Sequence, residues 1–79
     1  MTLTPAQCRA ARALLNITQE ELAAISGVSV PTIKDLEREA RKPLPRTLRD
    51  LRQALEGQGV QFVEVDGMTG VVNKSPEKS

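Results

Sequence analysis

Between Thr18 and Glu37 the chain carries two helix-start signals separated by a glycine, and their spacing leaves little freedom in how it folds. Thr18 and Glu21 form a capping box, in which the hydroxyl accepts from the Glu21 N–H and the carboxylate accepts from the Thr18 N–H. Gly27 supplies the permissive backbone on which that helix ends. Ser29 is a second N-cap, followed by Thr32 and Ile33 within one turn. Ile17 with Leu22, and Val28 with Ile33, stand at the spacing of hydrophobic staples. The pattern predicts helices over residues 19–26 and 30–38. Two capped helices joined by so short a turn must cross steeply, so the second projects from the surface.

A helix-turn-helix of this kind places its second helix in the major groove of DNA. The charge distribution agrees with that use. Net charge is only +1, but residues 38–52 hold six basic side chains (Arg38, Arg41, Lys42, Arg46, Arg49, Arg52) against Glu39 and Asp50. The flanking segments 1–37 and 53–79 are both slightly acidic. A basic stripe beside the projecting helix is what phosphate contact requires.

Elsewhere the signals are conventional. Thr4-Pro5-Ala6-Gln7 is a further capping box with Pro at the first helical position, opening a helix to about Leu15. Its inner face carries Cys8, Ala11, Leu15 and the stem of Arg12. Lys42-Pro43-Leu44-Pro45 breaks the chain before a helix with Leu48, Leu51, Ala54 and Leu55 on one face, ended by Gly57 and Gly59. Leu22, Ile25, Val28, Ile33 and Leu36 are expected in the core, and Ser26 is expected to bond back to the Leu22 carbonyl. Val60 to Val65, the Asp66-Gly67 turn and Gly70 to Asn73 read as a β-hairpin.

Seventy-nine residues make one small domain. With Phe62 the single aromatic residue, its core must be aliphatic, and a partner copy would help to stabilise it. An isolated hairpin is marginal in water, and this one is apolar on both faces, Val60 and Phe62 on one and Val63 and Val65 on the other. These four residues are therefore expected at a dimer interface, with the last helix covering part of the hairpin. One cysteine and no histidine leave no Cys/His ligand set for a metal and no His-based catalysis, so neither cofactor nor enzymatic activity is expected. No apolar run approaches the roughly 20 residues that span a bilayer, and no secretion signal opens the chain, which reads as cytoplasmic.

Thr18-Gln19-Glu20-Glu21-Leu22-Ala23, Gly27-Val28-Ser29, Thr32-Ile33 and Leu36-Glu37 together resemble the Xre/Cro-like family of phage and bacterial repressors. The resemblance extends over about residues 4 to 63, and the run from Ala54 to Phe62 is similar to a bacterial subgroup with a strand after the helices. It implies a mainly α fold, a compact four- to five-helix repressor-like domain, here followed by a short C-terminal β-hairpin. It also implies binding of operator DNA as a dimer. By the same resemblance Arg12 and Glu37 form a structural ion pair, and Val30, Pro31, Lys34 and Asp35 meet base edges. Gln19, Ser29, Thr32, Arg38, Arg41, Lys42 and Arg46 fall at backbone-contacting positions.

Two departures stand out. The family has Gly two residues after the Glu that matches Glu37, where this chain has Glu39, so the third helix is expected to run on or end differently. Val30 and Pro31 offer base edges nothing beyond contact with a thymine methyl, which leaves Lys34 for guanine and Asp35 for a cytosine amine. The combined reading is a regulator, a repressor by preference, with a helix-turn-helix unit at residues 1–57. A dimerising hairpin at 58–73 and a disordered tail at 74–79 follow. Two alternatives keep the same scaffold: an antitoxin whose hairpin holds a toxin, and a protein-interaction module that has lost DNA binding.

Overall fold

The computed structural model describes residues 3–73. Four helices run in order, α1 Pro5–Leu15, α2 Gln19–Ser26, α3 Val30–Glu37 and α4 Pro45–Gly57, followed by strands β1 Val60–Val65 and β2 Met68–Asn73. The tail expected at 74–79 lies outside the described residues.

Local chemistry sets the helix boundaries. Both capping boxes are closed: Thr4 Oγ1 accepts from Gln7 N while Thr4 N donates to Gln7 Oε1, each at 3.0 Å. Thr18 Oγ1 accepts from Glu21 N at 3.0 Å, and Thr18 N donates to Glu21 Oε1 at 2.8 Å. Asn16 ends α1 in the left-handed region (φ 58°) and Gly27 ends α2 there (φ 77°). The third helix stops at Glu37, one residue short of the expected end. Beyond it Glu39 takes φ 58°, with Glu39 N donating to Leu36 O at 3.0 Å and Ala40 N to Asp35 O at 2.9 Å. This is a Schellman closure with glutamate where glycine fits best.

The core is a single aliphatic cluster of Leu3, Cys8, Ala11, Leu22, Ile33, Leu36, Leu51, Leu55 and Val60 with Phe62. Leu48, Ala54 and Val28 pack against it, half-buried. Ile25 departs from expectation: it is 44% exposed. The covered arc of α2 passes through Leu22, Ser26, Gln19 and Ala23, and Ile25 lies on the far side of Leu22 from its centre.

The hairpin pairs antiparallel from Val60↔Asn73 to Val65↔Met68. Asp66 (φ 53°) and Gly67 (φ 78°) are both left-handed, the twist that a two-residue type I′ turn demands. Alternation puts Val60, Phe62 and Val71 against the helices and Val63, Val65, Met68 and Val72 on the opposite face. That arrangement corrects one expectation: Val60 and Phe62 are buried in the core of their own chain and are not available to a partner. Of the four expected interface residues, Val63 and Val65 remain on the outer face. The buried Gln7 amide fastens the sheet, its Nε2 donating to Gly70 O at 3.0 Å. Among the described residues no helix is long and apolar enough to cross a membrane.

Candidate nucleic-acid interface

The turn between α2 and α3 is built from three local hydrogen bonds. Gly27 N donates to Ala23 O at 3.0 Å, Val28 N to Ser26 Oγ at 3.1 Å, and Thr32 N to Ser29 Oγ at 3.3 Å. Ser26 thus serves the turn and not the Leu22 carbonyl, because its hydroxyl lies within reach of the Val28 N–H that the end of the helix leaves without a partner. Ile33 and Leu36 anchor the inner face of α3. Pro31 and Lys34 are exposed on the other side, and Val30, Thr32 and Asp35 are half-buried between them. The outer flank of α3 is uncovered among the described residues.

Behind α3 a buried carboxylate ties three helices together. Arg12 Nε donates to Glu37 Oε2 and Arg12 Nη2 to Glu37 Oε1, both at 2.7 Å. Gln19 Nε2 adds a bond to Oε1 at 3.0 Å and Cys8 Sγ one to Oε2 at 3.3 Å. Arg12 also donates to Ile17 O at 3.2 Å, and Arg9 donates to the Glu37 carbonyl. The ion pair implied by the resemblance is therefore present, as a two-pronged fork. Burial alone would push the Glu37 carboxyl up. The hydrogen bonds from Arg12, Gln19 and Cys8, with the charge of Arg12, hold it below the ordinary carboxylate range instead. Cys8 moves the other way. Burial, then its bond to Glu37 and that residue's negative charge, raise the thiol to about 12, so it stays protonated and inert.

Gln19 sits at the start of α2, where the helix dipole favours an anion, but one donor of its amide is spent on Glu37. Of the expected backbone-contacting cations, Arg38, Arg41, Lys42 and Arg46 are all exposed along the chain that leaves α3. Two of them bend back: Arg38 Nη2 lies 2.9 Å from Asp35 Oδ1, and Arg41 Nε lies 3.5 Å from Asp35 Oδ2. Arg52 leaves the stripe altogether. It pairs with Glu56 at 3.0 Å and lies over the Phe62 ring at 5.8 Å, on the hairpin side of α4. Ser29 and Thr32 share a 2.8 Å hydroxyl–hydroxyl bond at the start of α3.

A family model described as helix-turn-helix matches residues 9–58, from within α1 to the end of α4. The chain belongs to the Xre/Cro-like helix-turn-helix family. That family consists of DNA-binding regulators, and the match includes every residue of α2, the turn and α3. It ends two residues before β1, so the Xre/Cro-like assignment does not extend to the hairpin. No curated protein gives a significant match.

Sequence reasoning missed Arg9, Gln7 and Cys8 as partners of the network and sheet. Each contacts a residue at least 28 positions away, so no local pattern marks them.

Proposed function

We propose that this chain is a cytoplasmic, sequence-specific repressor that binds a palindromic operator as a homodimer, without catalytic activity or cofactor. Helix α3 enters the major groove, and the half-sites lie one helical turn, about 34 Å, apart. The observation that carries this reading is the uncovered flank of α3, with Pro31 and Lys34 exposed beside the cations at 38, 41, 42 and 46. Lys34 is the base-reading donor, with Val30 and Pro31 in apolar contact. Ser29, Thr32, Gln19 and the exposed cations hold the backbone. The outer hairpin face, with Val65 60% and Met68 67% exposed, supports pairing with a second copy.

The same apolar face would suit a toxin partner, in which case the protein is an antitoxin that represses its own promoter. Selection of duplexes from a random pool tests the main reading. A two-fold symmetric motif is expected, bound with an affinity that falls steeply as salt rises. Failure to enrich any duplex would leave the interaction-module alternative, and a second small chain co-purifying in equal amount would favour the antitoxin.

A further inference from the structure

Asp35 is a carboxylate on the flank of a helix meant to face a polyanion. It is one of two acidic residues on α3, and the other, Glu37, is consumed by the network behind the helix. Its two oxygens are each met by a guanidinium, one oxygen by Arg38 and the other by Arg41. The arginine side chains are 71% and 82% exposed while Asp35 is 27% exposed, so the long cations have more room to swing toward solvent than the short carboxylate on the helix. Exposed pairs of this kind add little to folding. Their consequence lies in what happens when the arginines turn to phosphate.

We infer that Asp35 is a specificity-determining residue that works through Arg38 and Arg41, rejecting duplexes that offer no base amino group to replace them. Phosphates compete with Asp35 for both arginines. Once the arginines are taken, the carboxylate faces the duplex uncompensated, a repulsive element of the kind that sharpens discrimination. A cytosine amine in the major groove restores a donor, and a step without one leaves the charge unpaired. Beyond a direct contact, then, Asp35 sets a penalty on all other sequences. This inference rests on the DNA-binding reading.

The test compares wild type, Asp35→Asn and the double variant Arg38→Gln/Arg41→Gln on two probes. One is the duplex that wild type enriches from a random pool, and the other is a scrambled duplex of equal length. Asp35→Asn preserves shape and the backbone carbonyl that accepts from Ala40 N. It is expected to bind the scrambled duplex about fivefold tighter, with a salt slope steeper by about 1, while the selected-to-scrambled ratio falls. Added to the double variant, where the carboxylate faces the duplex with neither guanidinium, the same substitution should still tighten scrambled binding about fivefold, and no effect there would make Asp35 a mere tether of the arginines and overturn the inference. A loss confined to the selected duplex would make Asp35 a simple base contact and overturn the inference, as would equal tightening on both probes. If wild type enriches nothing, the DNA-binding reading itself falls, and this inference with it.

Discussion

Arg12 grips Glu37 through two parallel hydrogen bonds of 2.7 Å, joining the first helix to the last turn of the third. Breaking the fork from one side strands the other charge, because Glu37 is 5% exposed and Arg12 22%. Glu37→Gln should therefore cost about 3 kcal/mol, read as a lower urea midpoint at constant slope. The pH dependence has a definite sign. An unfolded carboxyl titrates near the ordinary value of 4.5 and the native one lies lower, so the contribution is intact above 4.5 and is lost as pH falls through the native value. Wild type should hold a constant advantage over Glu37→Gln near neutrality and lose it in acid. A gap that stays constant into strong acid would show that Glu37 titrates alike in both states.

Glu39 occupies a left-handed position that favours glycine. Glu39→Gly should raise stability by up to about 1 kcal/mol, or several degrees in melting temperature. Glu39→Val should lower it, because β-branching is worse still at positive φ. Equal melting temperatures for all three would mean that the turn relaxes to another conformation.

Phe62 and Val65 lie on opposite faces of one strand and should behave differently. Phe62→Ala removes a core side chain and is expected to cost about 3–4 kcal/mol whether or not the protein self-associates. Val65→Asp, at an exposed position, should leave single-chain folding within about 0.5 kcal/mol while shifting sedimentation toward the monomer. An unchanged sedimentation coefficient would remove the outer hairpin face from the proposed dimer.

In the proposed binding mode, Lys34 and Arg46 should separate reading from holding. Lys34→Ala should change which duplexes are preferred, whereas Arg46→Gln should weaken all duplexes alike and flatten the salt slope by about 0.9. Uniform weakening by Lys34→Ala would move that residue to the phosphate backbone.

What was legible in the sequence was what a few neighbouring residues decide. Thr18 with Glu21, Gly27, Ser29 and Asp66-Gly67 act within four positions, and each capping or turn element stands where its residues place it. The Arg12–Glu37 pair was legible through the family resemblance alone, since nothing local links residues 25 apart. Apolar character does not say which neighbour covers a side chain, so it does not distinguish the exposed Ile25 from Val60 and Phe62, which the core of their own chain covers. Glu39 stands where the family has glycine, and the left-handed turn survives glutamate because Glu39 N and Ala40 N still find their carbonyls. The hold of Arg38 and Arg41 on Asp35 depends on the chain turning back after α3, which charge counts do not encode.

The Gln7 amide hangs between the opening turn of the chain and a strand 63 residues later, and this bears on how the protein can be divided. Cutting away the last strands would strip the Gln7 amide of its carbonyl partner and remove Val60 and Phe62 from the core cluster that holds Leu51 and Leu55. The helices and the hairpin look like two cassettes, yet neither should survive amputation of the other, so a helical unit trimmed to residue 57 is expected to melt without a cooperative transition.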